Sequence, residues 1–372
     1  APHGPYRVDP KWAEPYQRNE VNNANFFGMV ANIDHNLGLL RDHLKDLKLS
    51  EHTILIFMTD NGTSAGCNFP GLDTEPILGF NAGMRGKKSS IYEGGHRVPF
   101  FLHWPAGGFS KGQDVEALAA HIDVLPTLAD LCKFPKPDKS YDLDGLSLKP
   151  LLGGKTNRFR RNHHYLQYHG GAGRKYALGP FTNSVVLTEK WRLVNTPDKQ
   201  ELYDIQKDPS QRKNLASQQS KIVDELRQAY QSFWDRVSQG LKPVAIDIGD
   251  PTENPAILCS QDWRPETGNP PWNFRSIEGI PKVTHPWLVN VLEAGEYRFS
   301  LRQWPKEADK TIVGVKAKIK IAGVEKEAVI KEGSKKIDFT VSIPSGISEL
   351  WTYIYNQQGQ LGGAYFTEVE KL

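Results

Sequence analysis

Apolar side chains at Phe26, Val30, Ile33, Leu37, Leu40, Leu44 and Leu47 recur in alternating steps of four and three, the signature of one helical face. The pattern predicts a helix over residues 20–48 that packs on a sheet. Residues 54–58 then form an unbroken apolar run between Thr53 and Thr59, with the length and β-branched content of a strand buried on both faces. Helix, short link and strand make half of an α/β unit. A second apolar run, residues 100–104, supplies another strand, expected parallel to the first. Residues 184–188, 191–195 and 201–204 alternate around a tight Glu189-Lys190 turn, which predicts a small antiparallel meander. Ile222, Leu226, Tyr230, Phe233 and Val237 mark the face of a following helix, with Gly240 as its stop. Residues 241–255 shift to Pro, Asp and Gly, the composition of a linker. Beyond them, residues 295–299, 313–321, 336–343 and 350–355 alternate apolar and polar with turns between, and predict a β-sandwich.

Composition narrows this picture without redirecting it. The 372 residues, 38% hydrophobic and 24% charged, are ordinary for a globular chain with room for two or three cores. A net charge of +3 is too small to point to nucleic acid, and the short basic run at residues 158–164 does not change that. No apolar segment approaches the length of a membrane span. Three widely spaced cysteines, Cys67, Cys132 and Cys259, form neither a disulfide framework nor a CxxC metal pattern. Among the aromatics, Trp287, Trp304, Trp351 and Tyr365 of the sandwich fit a core, with a sugar-binding platform as the other reading.

Candidate chemistry gathers between the first two strands. Asp60 and Asn61 end the first strand and offer hard oxygen ligands of the kind Ca²⁺ or Mg²⁺ takes. Asp-Asn-Gly is also a common turn sequence, and Asn61-Gly62-Thr63 matches a glycosylation sequon. After a long loop, residues 63–81, comes the stretch from Met84 to Pro99, MRGKKSSIYEGGHRVP, dense in glycine and cations. Its flanking glycines and serines leave the backbone free to approach an anion near Lys87-Lys88, and Glu93 and Arg97 are read as holding the loop together. Asp34, His35, Asp42 and His43 on the predicted helix are read as surface groups rather than a metal cluster.

The order TDNG, then RGKK, then EGGxRVP resembles the sulfatase family of the alkaline-phosphatase-like superfamily. Four further segments are similar to that family: APHGPY at the start, HIDVLPTLADL at residues 121–131, DGLSLKPLL at 144–152, and LYD with DP and NLA at 202–216. The resemblance implies an α/β fold: the C-terminal portion of an alkaline-phosphatase-like sulfatase domain over residues 1–153, a small antiparallel-sheet subdomain with a helix over 154–245, and an appended β-sandwich over 255–372. It implies hydrolysis of an aryl or carbohydrate sulfate ester. By motif, Asp60 and Asn61 are carried over as metal ligands for Ca²⁺, with Mg²⁺ as the alternative. Lys88 is carried over as the group that binds the sulfate and the leaving oxygen, although Lys87 stands where the family has glycine and leaves the register open by one residue. His3, in APHGPY, is carried over as the proton donor to the leaving oxygen, work that suits imidazole.

The chain also departs from the family. The CxPSR or SxPxR motif that carries the formylglycine nucleophile, the upstream acidic metal ligands and the GKWH segment do not occur in these residues. The resemblance places them upstream of Ala1, so the expectation is that this chain alone does not turn over substrate and that an N-terminal piece of the same protein is a partner. Other expected partners are a sulfated small molecule or glycan, with no nucleic acid and no membrane span. A periplasmic or secreted location follows from the resemblance alone. Two other functions stay open at this stage: a noncatalytic glycan-binding protein, and a phosphodiester or phosphonate hydrolase of the same superfamily.

Overall fold

The computed structural model describes residues 2–17, 23–67, 79–135, 143–154, 161–168, 180–196, 198–240, 243–265, 270–271, 273–278, 283–359 and 361–372. Glu20, most of the loop at residues 63–81 and Arg158 to Arg160 of the basic run lie outside the described residues. Two compact units divide the chain, residues 1–168 with 180–236, and residues 169–179 with 237–372.

In the first unit, α1 (Pro10–Ala13) is started by Asp9, whose carboxylate accepts the Lys11 N–H, and by Pro10 at its first position. The long helix α2 (Ala24–Asp46) is capped by Asn23, whose side chain accepts the Phe26 N–H. Gly28 lets α1 lie against α2, because a Cβ there would come to 2.9 Å from the Ala13 nitrogen. The predicted packing of α2 on a sheet is not what is found. Phe26 and Gly28 are its buried residues, while Val30 and Leu40 of the predicted apolar stripe are 43% and 46% exposed.

Strand β1 (Leu55–Met58), the one-turn helix α3 (Glu93–His96) and strand β2 (Phe100–His103) follow. β1 and β2 form a two-stranded ladder that is antiparallel, with Leu55 opposite His103 and Met58 opposite Phe100. This corrects the expected parallel pair. A parallel return needs a crossover that carries the chain back to the starting end of the sheet, and the one helix described between these strands is a single turn that ends four residues before β2. Nor is β1 buried on both faces. All four of its residues are half-buried, and Phe101 opposite is 65% exposed.

Helices α4 (Val124–Leu131) and α5 (Lys149–Leu152) are fastened by Asp123. Its carboxylate accepts from the Ala120 and Leu146 backbone N–H groups and from Arg161 by two bonds of 2.7 and 2.5 Å. Asp123 precedes α4 as expected of a cap, yet its side chain bonds outside the helix. Four strands then make an antiparallel sheet: β3 (His164–Gln167), β4 (Ser184–Leu187), β5 (Trp191–Asn195) and β6 (Gln200–Asp204). The Thr188 hydroxyl accepts the Lys190 and Trp191 N–H groups and closes the β4–β5 turn. One face of this sheet, Val186, Leu193 and Leu202, packs on Val223, Leu226 and Tyr230 of α6 (Ser220–Ser238). Its other face, Val185, Leu187, Val194 and Tyr203, packs on Ile91. The meander is therefore the middle layer between a helix and the glycine-rich segment.

The second unit starts with β7 (Ile246–Ile248), inside the stretch read as linker, and β8 (Ala256–Cys259). Helix α7 (Phe274–Glu278) precedes strands β9 (Trp287–Val291), β10 (Gly295–Arg302), β11 (Lys316–Ile321), β12 (Val324–Val329), β13 (Ile337–Ile343), β14 (Gly346–Tyr355), β15 (Leu361–Gly362) and β16 (Phe366–Lys371). One sheet runs β13-β10-β16-β8, and the other β12-β11-β14-β9-β7 with β15 beside β14. Both contribute to one core, so the predicted sandwich is present. Trp287 and Tyr365 are fully buried in that core and Trp304 nearly so, whereas Trp351 points away from it. Ala322 and Gly323 both take positive φ in the two-residue β11–β12 turn, the geometry a tight hairpin demands.

Candidate active site

Backbone contacts assemble the loop that follows β1. The Gly62 N–H donates to the Gly95 carbonyl (2.9 Å), the Lys88 N–H to the Thr63 carbonyl (2.9 Å) and the Gly94 N–H to the Arg85 carbonyl (2.8 Å). Three segments separated in sequence thus lie against one another: residues 60–63, residues 85–90 and α3. Glycine is what permits this. A Cβ on Gly62 would overlap the Gly94 carbonyl oxygen, one on Gly94 the Gly86 carbonyl oxygen, and one on Gly95 the Ser90 carbonyl oxygen. Gly86 also sits at φ +81°.

This knit brings Asp60, Asn61 and Lys88 into one loop cluster. Asp60 is exposed, Asn61 half-buried, and of the two lysines Lys88 is half-buried and Lys87 exposed. The segment of His3 is attached to the same loop through the Tyr6 hydroxyl, 3.0 Å from the Ser64 hydroxyl, and to α2 through an edge-to-face contact of Tyr6 with Phe26. The His3 ring is exposed and its Nδ1–H donates to its neighbour's carbonyl at Gly4 (2.9 Å). Among the described residues no group of three or more His, Cys, Asp or Glu could hold a metal ion. Asp60 and Asn61 fit a hard cation as neighbouring oxygen donors, two of the six to eight that Ca²⁺ takes.

Below the loop lies a buried charge network. Glu93 is 1% exposed and accepts from Arg192 Nε at 2.6 Å, while its N–H donates to Gln211 Oε1 at 2.8 Å. Arg97, 3.7 Å from Glu93, adds the contact expected of it. Arg85 lies 3.7 Å over the Tyr92 ring and donates to the Tyr203 hydroxyl (2.8 Å), and the Tyr92 hydroxyl donates to Glu201 (2.6 Å). Burial and the neighbouring Glu201 push the Tyr203 phenol up to about 12. Burial alone would raise the Glu201 carboxyl, but hydrogen bonds from Lys199 and Tyr92 and the Arg85 charge hold it below its ordinary value. Burial lowers His96, so its 3.9 Å approach to Glu93 is that of a neutral ring. Burial and Arg161 lower His164 to about 4. Arg192, Glu201, Tyr203 and Gln211 carry no local signal of this role. Their partners lie 99 to 126 residues away in sequence, and only the packed sheet brings them together.

The family model for sulfatases matches residues 1–134, and the model described as the C-terminal part of N-sulphoglucosamine sulphohydrolase matches residues 85–235. Residues 1–235 of the chain therefore belong to the sulfatase family. The chain is 31% identical over 228 residues to an N-acetylgalactosamine-6-O-sulfatase of Bacteroides thetaiotaomicron, an alignment that covers 56% of this chain and 41% of the relative. It is 28% identical over 242 residues to human steryl-sulfatase, covering 58% and 40%. Similar sequences thus align with about two-fifths of their own length. Among solved structures, Ps i-CgsB superposes with a TM-score of 0.53 at 23% identity, covering 63% of this chain and 48% of that one, and supports the alkaline-phosphatase-like α/β fold. A second structure of Ps i-CgsB, in complex with k-i-k-neocarrahexaose, gives 0.52 over the same shares. Among the described residues no helix is long and apolar enough to cross a membrane.

Proposed function

We propose that this sulfatase is a sulfuric ester hydrolase whose loop cluster at Asp60, Asn61 and Lys88 forms part of the active site. The observation that carries the reading is the knit of three motif segments by Gly62, Lys88 and Gly94, which fixes a carboxylate, a carboxamide and a lysine on one loop cluster. Asp60 and Asn61 hold a divalent cation, which Ca²⁺ fits by its preference for hard oxygens. The cation, when bound, offsets charge on the sulfate oxygens. Lys88 then orients the ester and meets the negative charge that grows on the leaving oxygen as the S–O bond breaks. With Nδ1–H committed to the Gly4 carbonyl, His3 keeps Nε2 for the proton that the leaving oxygen takes. The formylglycine nucleophile comes from sequence beyond this chain.

Exposed apolar side chains fit the same reading. Val30 and Leu40 of α2 and Phe101 of β2 lie open to water, and further sulfatase polypeptide carrying additional strands would cover them. The substrate class is an aryl or carbohydrate sulfate, and the location is periplasmic or secreted, in keeping with the family. Intact mass of the purified protein under denaturing conditions shows whether a second polypeptide accompanies this one. Sulfate release from an aryl sulfate and from sulfated oligosaccharides is then measured on the complete protein and on Lys88→Ala. A loss of about 10²-fold or more in kcat, the scale of one oxyanion donor, supports the assignment. Unchanged turnover in the variant, or release of phosphate rather than sulfate from matched esters, sinks it.

A further inference from the structure

In the second unit, the face of the six-stranded sheet opposite the core is set by its central strand. Along β14, Leu350, Thr352 and Ile354 point into the sandwich core, and Trp351, Tyr353 and Tyr355 alternate with them on the opposite, half-exposed face. The Trp351 and Tyr353 rings are parallel within 8°, with centroids 6.2 Å apart. The Trp351 indole N–H donates to Glu349 (3.1 Å), which holds the ring in place. Register places Lys320, Lys318 and Lys316 of β11 directly opposite the three rings. Lys318 lies 5.9 Å from the Tyr353 centroid and Lys316 4.6 Å from that of Tyr355. One strand further out, Glu325 pairs with Lys318 and Lys320, and Glu327 with Lys316. The face is thus a stripe of π surface, a stripe of ammonium groups and a stripe of carboxylates.

Each stripe narrows the ligand. Three rings in a row over about 13 Å of strand suit a chain of flat units rather than one small molecule. The lysines balance Glu325, Glu327 and Glu349, and a face with no charge excess is poorly made for nucleic acid, which carries a phosphate on every unit. A polyhydroxylated chain with occasional anionic groups uses all three stripes. Sugar rings stack on the aromatics, hydroxyls donate to the carboxylates, and anionic groups take the ammonium ions. The ion pairs that must loosen lie largely in water, every member but Lys318 having 42–50% of its side chain exposed, and pairs of that kind are weak.

We propose that this face is a noncatalytic binding site for a sulfated glycan chain, with Trp351, Tyr353 and Tyr355 stacking on sugars and Lys316, Lys318 and Lys320 receiving sulfates; the sulfate half rests on the sulfatase reading, the glycan half on the face itself. The test is affinity electrophoresis of the full chain through gels holding carrageenan or chondroitin sulfate, their desulfated forms, or a single-stranded oligonucleotide. Retardation by a sulfated polymer is expected, weakened about tenfold or more by Trp351→Ala with Tyr353→Ala, the scale of losing two stacking contacts, at an unchanged melting temperature. Lys316→Gln, Lys318→Gln and Lys320→Gln together are expected to remove the preference for sulfated over desulfated polymer. The inference is overturned by no retardation in any polysaccharide gel, by retardation in the oligonucleotide gel instead, or by variants that migrate as the parent does. Retardation requires no turnover. A complete protein that binds the glycan but releases no sulfate therefore breaks the enzymatic reading, whereas a chain that is not retarded, from a complete protein that releases sulfate, breaks this one.

Discussion

The two units of this chain build their buried interiors differently. In the sandwich, two sheets close on each other, and Trp287, Tyr297, Phe299 and Tyr365 reach complete burial. In the first unit, the meander and α6 reach the same completeness, but α2 and the β1–β2 ladder keep Phe101, Val30 and Leu40 in water. The first unit nevertheless carries the loop cluster with the family motifs. Its loops are held by backbone bonds through glycine and by a buried ion network, not by a hydrophobic core of their own. Chemistry at this site and completeness of the surrounding fold are therefore supplied by different parts of the molecule.

The contrast can be broken from either side. Arg192→Ala leaves Glu93 buried without its cation, and is expected to destabilise the first unit by about 3–5 kcal/mol while the sandwich keeps its own transition. Calorimetry resolves the two if they melt separately, and a loss shared equally by both units refutes the independence of their stabilities. Trp287→Ala is the converse, expected to cost the sandwich about 3–5 kcal/mol with the loop cluster untouched, as amide exchange at Gly62 and Lys88 would report.

Acid separates the units next. His164 titrates at about 4 in the folded chain, against an ordinary value near 6.5. Between those values the unfolded chain binds the proton that the folded one refuses. Stability is therefore full above pH 6.5, falls as pH drops toward 4 and levels off below, by roughly 3 kcal/mol for this group. His96 and His163 shift in the same direction. A melting temperature of the first unit that is flat from pH 7 to 4, or a slope that is no shallower in His164→Gln, contradicts this. The smallest expected effect is that of Arg236→Ala. Its bridge to Asp144 at 2.8 Å is more than half exposed at both ends and is worth under about 1 kcal/mol. Denaturant midpoints compare it with Arg161→Ala, which strands the buried Asp123 and is expected to cost several times more.

Much of this was legible from spacing. The α6 face and the sandwich strands follow from alternation and the 3.6 period, because each element is half-buried by partners within its own unit. The motif glycines were legible as a family pattern, and the structure gives their reason: backbone passes against backbone at Gly62, Gly94 and Gly95. The orientation of β1 against β2 was not, since an apolar run states that a strand is covered without stating from which end its neighbour enters. The stripe on α2 correctly marked a helix and wrongly implied a described sheet beneath it. Nor could spacing reveal Tyr353 and Tyr355 as surface residues, because outward aromatics alternate as regularly as inward ones.

The anchoring of Glu93 by Gln211, across 118 residues of sequence, has a consequence for synthesis. A ribosome delivers TDNG, RGKK and EGG long before it delivers Arg192, Glu201 or Gln211. Until those residues emerge, the nascent chain holds the signature segments without the struts that set them. A stall or cut between residues 99 and 192 therefore yields a polypeptide that bears the family's diagnostic motifs but lacks the means to fix their shape.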